Sequence, residues 1–310
     1  DETSRGLGDV YKRQLKRACD ITVEGHKSAM EFTKKDMYEY QIEAEMEKTF
    51  YDLGAERLGY PSIVASGDNA CILHYSTNRE KVDNNGLILI DAAAEFKMYS
   101  SDVTRTFPVN GKFTKVQQDV YTEVLKAQEI GIKNVTTKKT MSDIHTSTVA
   151  SISQSLVDLG LVPMGVEETI SMMHYFEFFM HGTGHWLGLD VHDAGTTEEK
   201  NKPRKLKPGM VTTIEPGIYI RPNKPEIEFK LLERDPKKIR ERRKSLGMEK
   251  ATKVESEEMK DAKSIKHKIP KDLLGIGIRI EDDIVCTEND PINLTIGAPK
   301  TIDDVEAICS

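Results

Sequence analysis

Positions at helical spacing run from residue 15 to about 33, through Ala18, Thr22, His26 and the Ala29-Met30 pair, and again from about 38 to 53, where Gly54 stops the pattern. Tyr60-Pro-Ser-Ile-Val-Ala-Ser-Gly67 then reads as a strand ending in a turn. Gly86-Leu-Ile-Leu-Ile-Asp91 is apolar on both faces, as a fully buried strand would be, so its terminal Asp91 sits at the rim of the interior. After a turn near Lys97, Ser101-Asp-Val-Thr-Arg-Thr-Phe107 places Asp102, Thr104 and Thr106 on one face. Hairpin pairing would bring Asp91 and Asp102 together, which like charges resist unless a cation lies between them. A turn aspartate beside a solvated strand aspartate fits the same pattern.

Two amphipathic helices follow, over about 115–135 and 142–159, with Gly160 closing the second. Residues 207–220 read as a turn leading into a strand in which Glu215 interrupts apolar positions and precedes Pro216, a poor context for a surface residue. Between about 222 and 272 the composition turns to dense Lys, Arg and Glu, with Asp235-Pro236 as an N-cap and first-turn pair and Gly247 as a break. This predicts a charged helical hairpin inserted over the surface, either a lid or oligomer contact or a solvated excursion. Strand pattern returns at 275–287, where Ile276, Ile278 and Ile280 share one face and Arg279 and Glu281 the other. Residues 303–308 are expected to form a last helical turn, and no internal repeat stands out.

The composition narrows the function classes. A chain of 310 residues can bury a large core, and its net charge of -7 argues against a nucleic-acid partner, which would call for a basic face. No run of about eighteen apolar residues could span a membrane. Cys19, Cys71, Cys286 and Cys309 share no close spacing, so free thiols and a cytoplasmic location are expected. Residues 1–14 are set apart. Asp9-Val-Tyr-Lys-Arg-Gln14 resembles the translated end of a sequencing-library adapter, which predicts a non-native leader before a folded domain at 15–310. An ordinary polar leader is the alternative.

Candidate chemistry centres on His181-Gly-Thr-Gly-His185-Trp-Leu-Gly-Leu-Asp-Val-His192-Asp193, which holds three of the eight histidines among glycines that let the backbone pass close to whatever the imidazoles face. His26, His145, His174 and His267 lack such company and read as structural or surface residues. Adding Asp91, Asp102, Glu215 and Glu281 to His185 gives an oxygen-rich set without thiolate, suited to two divalent ions such as Mn²⁺ rather than to tetrahedral structural zinc. Two metals about 3.5–4 Å apart can share a water and lower its pKa towards roughly 7, which is hydrolase chemistry.

Ile90-Asp91-Ala, Ser101-Asp-Val-Thr-Arg-Thr-Phe-Pro108, the 181–193 stretch, Thr213-Ile-Glu-Pro-Gly217 and Ile278-Arg-Ile-Glu-Asp-Asp283 closely resemble the pita-bread metallopeptidases, most of all their Xaa-Pro branch, aminopeptidase P and prolidase. Five motifs match in order, over the chain from about residue 15 onward except the charged insertion. The resemblance implies an α+β pita-bread fold of the creatinase/aminopeptidase kind, with two similar αβ halves around a curved antiparallel sheet and helices on its outer face. It implies that Asp102 and Glu281 bridge two divalent metals, that Asp91 binds one and that His185 with Glu215 binds the other. Glu215 would also shuttle the proton of the attacking water. His74, His181 and His192 would be pocket histidines that bond the scissile carbonyl and handle protons, and Arg279 would hold a ligand carboxylate. The implied reaction is removal of the N-terminal residue from peptides with proline in second position, by metal-bridged hydroxide. Prolidase action on Xaa-Pro dipeptides is the nearest alternative, and a non-catalytic binding module on the same fold a remote one. Neither nucleic acid nor membrane is an implied partner; a second copy of the chain is. The chain departs from the family pattern at Ala93, at Lys139-Thr140 and at the insertion. The family's N-terminal domain, which helps form the substrate entrance and oligomer contacts, is read as absent.

Overall fold

The computed structural model describes residues 2–199 and 202–310, so Asp1 of the expected leader lies outside the described residues. Helix α1 (Glu2–Phe32) starts well before the expected residue 15. Its backbone runs through the leader, because extending a formed helix adds one bond per residue without a new nucleus. Helix α2 (Glu39–Asp52) buries Ile42, Met46 and Phe50, one side chain per turn, and Gly54 at φ +95° turns the chain out of it.

Strands β1 (Ile63–Ser66), β2 (Leu87–Asp91), β3 (Ala94–Phe96), β4 (Tyr99–Ser100) and β5 (Thr104–Pro108) follow. The turn falls at Lys97 and Met98, both at positive φ, and sets one register from the β3–β4 hairpin into the β2–β5 ladder. Asp91 therefore lies opposite Thr104 rather than Asp102. Asp102 is a diagonal neighbour just outside the strand, and its N–H donates to Asp283 Oδ2 over 3.0 Å.

Helices α3 (Lys115–Lys133) and α4 (Met141–Asp158) open the second half, each with a reciprocal capping box, Thr114 with Gln117 and Thr140 with Asp143. After the short α5 (Val166–Ser171) come β6 (Val211–Ile214) and β7 (Gly217–Tyr219). The charged insertion is more than a helical hairpin. Strand β8 (Glu226–Lys230) pairs with β9 (Ser264–Lys268), and this ribbon carries α6 (Pro236–Leu246) and α7 (Met248–Asp261). Ile227 and Phe229 alternate into the core, a short pattern hidden by the surrounding charge.

The expected continuous strand at 275–287 is two: β10 (Gly277–Arg279), paired with β7, and β11 (Asp282–Val285), paired with β6 and with β12 (Ile292–Asn293). The last helix is α8 (Ile302–Ile308). Between β10 and β11 the Glu281 N–H donates to the Thr104 carbonyl, 3.1 Å away, so the bend stitches the second half to β5 of the first. Among the described residues every strand pair is antiparallel. The α+β class follows, with a helix pair preceding each ladder and the ladders meeting where Asp91, Asp102 and Glu281 emerge.

Candidate metal centre

Strand ends and one irregular segment deliver the predicted side chains. Asp91 ends β2, Glu215 sits between β6 and β7, and Glu281 occupies the bend between β10 and β11. The 181–186 segment is stapled along β6: Thr213 N–H to His185 O over 3.0 Å, His185 N–H to Thr213 Oγ1 over 3.1 Å, and Glu215 N–H to Thr183 O over 2.8 Å. Gly184 makes this possible, because a Cβ there would stand 1.9 Å from the Thr213 carbonyl oxygen.

These side chains line one cavity of about 400 Å³, together with His74, His181, His192, Arg279, Tyr60 and an apolar flank of Pro61, Ile63, Leu73 and Val191. Donor atoms of Asp102, His185 and Glu281 lie within 4.8 Å of one another. His185 Nε2 is 3.2 Å from Asp102 Oδ2 and 3.6 Å from Glu215 Oε1. Asp91 is held from two sides, by Arg279 at 2.5 Å and by the Tyr60 hydroxyl at 2.6 Å, and that hydroxyl also lies 2.5 Å from Asp102 Oδ1. Thr104 Oγ1 donates to Glu281 Oε2 over 2.6 Å.

Of the three pocket histidines, His181 is fixed most firmly, with Nδ1 at 2.8 Å from Gly182 O and Nε2 at 2.8 Å from the Tyr219 hydroxyl. The ring of His192 packs edge-on against His185 with centroids 4.3 Å apart, and His74 lines the same cavity, exposed. The four histidines read as ordinary residues lie elsewhere: His26 bonds Ala92 O, His145 bonds Thr183 Oγ1, His267 bonds Gly160 O, and His174 packs on Phe229.

Sequence reasoning missed Tyr60, Thr104 and Tyr219. Tyr219 bonds both His181 and Arg279, and Thr104 receives the Arg279 Nε at 3.1 Å. A tyrosine or threonine in a strand pattern is read as packing, and only the register reveals which hydroxyls reach the side chains of the site. The phase of Thr104 with Asp102 was the one available signal.

The electrostatics show what the cluster lacks. Burial pushes the Glu281 carboxyl well above the usual carboxylate range, and the Asp102 and Glu215 charges push the same way. Burial likewise raises Asp102 against the hydrogen bond from His185, and the Asp91 charge adds to the rise. Glu215 is pushed up to about 7, by burial against the opposing charge of His185. Burial works against a proton on His185, but the hydrogen bond and charge of Asp102 with the charge of Glu215 outweigh it and raise the group to about 9. His181 is lowered to about 3, by burial and then by the Arg279 charge, so its imidazole is neutral. Buried carboxylates that resist ionising side by side are what a divalent cation relieves, and oxygen donors with one imidazole can hold such a cation. The residues present fit a metal pair.

Residues 13–288 match metallopeptidase family M24. The chain is 38% identical over 294 residues to the Xaa-Pro aminopeptidase of Haemophilus influenzae, covering 95% of this chain and 58% of that protein. It is equally identical to the Xaa-Pro aminopeptidase of Escherichia coli K12, of which it covers 57%. Superposition on the solved structure of Pseudomonas aeruginosa aminopeptidase PepP gives a TM-score of 0.81 at 37% identity, over 96% of this chain and 58% of that one. This likeness bears out the expected pita-bread architecture. The chain thus spans somewhat over half the length of these relatives. Among the described residues no helix is long and apolar enough to cross a membrane.

Proposed function

The chain belongs to metallopeptidase family M24, and from that membership we propose that it carries the catalytic centre of a dimetal Xaa-Pro aminopeptidase. The observation that supports this most is the convergence of Asp91, Asp102, His185, Glu215 and Glu281 in one cavity, where burial raises Asp102, Glu215 and Glu281. In this reading Asp102 and Glu281 would serve both metals, Asp91 would help hold one, and His185 with Glu215 the other. Two divalent cations, manganese by the hardness of the donors, would supply the Lewis acidity that brings a water's pKa from near 15.7 to roughly 7.

The chain's own residues do the rest. Glu215 lies 3.5 Å from His181 Nδ1 and 3.6 Å from His185 Nε2, and from there its carboxylate takes the proton of the attacking water and returns it to the leaving amine. His74 and His192, both lining the cavity, donate to the scissile carbonyl oxygen as charge develops on it. Arg279 and Tyr60 hold Asp91 still, and Tyr219 holds His181. Pro61, Ile63, Leu73 and Val191 offer an apolar wall to a proline ring, which has no N–H to be recognised. Free thiols at all four cysteines accord with the cytoplasm as the working compartment.

The test is release of the N-terminal residue from Arg-Pro-Pro by chelator-dialysed protein with and without added Mn²⁺, beside a Glu281→Ala control. Manganese-dependent release, lost in the variant, is expected. Cleavage of Gly-Pro alone would turn the assignment to prolidase, and a folded protein that takes up no metal would overturn the mechanism.

A further inference from the structure

Helix α2 carries two rows of side chains at spacing four. Ile42, Met46 and Phe50 have no exposure and belong to the main core. The neighbouring row is Glu39, Glu43 and Glu47, and it grips another part of the chain. Glu47 Oε1 accepts from the Ser62 hydroxyl over 2.8 Å. Glu43 Oε1 accepts from Asn78 Nδ2 over 2.8 Å, while Asn78, in the left-handed region at φ 48°, also takes the Val64 N–H on its Oδ1.

Glu39 is the most committed of the three. It has no solvent exposure, and four donors surround it: Ser66 N–H at 2.8 Å and Asn69 Nδ2 at 2.9 Å on Oε1, Tyr75 Oη at 2.7 Å and Glu80 N–H at 3.0 Å on Oε2. A buried carboxylate is costly unless such donors surround it, and its place as first residue of α2 adds the positive end of the helix dipole. No other side chain satisfies this nest. A glutamine in either orientation would turn its NH₂ towards one of the two backbone N–H groups.

The gripped segment, 62–80, supplies one wall of the cavity through Ile63, Leu73, His74 and Ser76. Tyr75 is buried and anchored to Glu39 by its hydroxyl, while its neighbours His74 and Ser76 are exposed and line the site. Among the described residues no hydrogen bond holds the His74 side chain, so its reach depends on the backbone that Tyr75 and Glu39 fix.

We propose that Glu39, at the head of the acidic row of α2, is a positioning residue that sets the 66–80 wall and so holds His74 at the distance at which it meets a bound peptide. The role of His74 in this rests on the function proposed above. Glu39 itself never touches the substrate; it acts through Tyr75.

The test uses the full chain with Glu39→Gln, Tyr75→Phe, His74→Ala and the pairings of each of the first two with His74→Ala. Tyr75→Phe removes one hydroxyl and keeps the ring, so it reads the link even if Glu39→Gln folds poorly. Amide exchange in 66–80 is expected to quicken by about tenfold or more in both anchor variants, with α3 and α4 unchanged. With Arg-Pro-Pro, kcat/KM should fall roughly tenfold in either anchor variant, and by no further factor once His74 is already alanine. Losses that multiply in the paired variants would overturn the proposal, as would unchanged exchange in 66–80. If the wild-type protein, loaded with Mn²⁺, cleaves no Xaa-Pro peptide, the assigned reaction fails on its own. The exchange result then decides the anchor: acceleration supports it, and an unaltered wall refutes it.

Discussion

His26 on α1 is fully buried, and its Nε2 lies 3.0 Å from the Ala92 carbonyl beside Asp91. Burial lowers the group to about 4, against the hydrogen bond that would raise it. Because the folded value lies below the unfolded one of roughly 6.5, only the unfolded chain takes this proton as pH falls between about 6.5 and about 4. The stability contribution is complete above that window and is lost across it, by up to about 3 kcal/mol. Urea melts of wild type and His26→Gln at pH 7 and pH 4.5 isolate this group from the other acids. The wild type is expected to lose more stability than the variant, and equal losses would contradict the assignment. Asp282 shows the opposite case. Although burial alone would raise it, the Arg105 and Lys300 charges hold its carboxyl far below the ordinary range, so it stays ionised in the core.

The 181–193 segment is neither helix nor long strand, and its first part, as far as Leu187, is hydrogen-bonded along β6. That contact depends on Gly184. An alanine Cβ would meet the Thr213 carbonyl oxygen at 1.9 Å, a backbone atom that no rotamer change can move. Gly184→Ala is therefore expected to push His185 away from Asp102, weakening Mn²⁺ binding by tenfold or more and costing about 1–3 kcal/mol of stability. Titration calorimetry and a urea melt check both, and unaltered metal affinity would show that the close approach is dispensable. Helices α3 and α4 were legible because their apolar periods are local. The bend between β10 and β11 was not, because Ile276 to Glu281 alternates without interruption. What breaks the strand there is a neighbour far away in sequence, Thr104, which takes the Glu281 N–H.

Across the whole molecule a buried cation behind the site, Arg105, helps to lock the two halves together. Arg105 on β5 pairs with Asp282 on β11 at 2.6 Å and donates to the Glu281 carbonyl at 2.6 Å, with no exposure of either charged side chain. Gln128, Thr295 and Lys300 complete the shell around Asp282. Such a pair is weak evidence of net stability, but removing one partner strands the other in the core. The charged hairpin of α6 and α7 contributes nothing to this lock. It leaves and rejoins the body where Leu231 N–H meets Lys263 O at 2.7 Å, so a short Gly-Ser turn can replace residues 233–262. That deletion is expected to leave Mn²⁺ affinity unchanged and to shift Tm by no more than about 4 °C. A tenfold loss of affinity would show instead that the hairpin supports the site.

The chain's own pattern determined most of the longer helices, the buried β2 strand with an acid at its rim, and the candidate side chains, since each of these is a matter of local period or residue type. Tertiary structure decided how those side chains meet. Register set Asp91 against Thr104, and the Tyr60 hydroxyl then spanned the gap to Asp102. Glu39, Glu43 and Glu47 stand one helical turn apart on α2, a spacing that does not say what they meet. Only the fold, by laying residues 62–80 across that face, made Glu39 an acceptor for two backbone N–H groups and Glu43 and Glu47 acceptors for Asn78 and Ser62. Burial sets the protonation of a carboxylate, and burial is a property of what the rest of the chain packs around it.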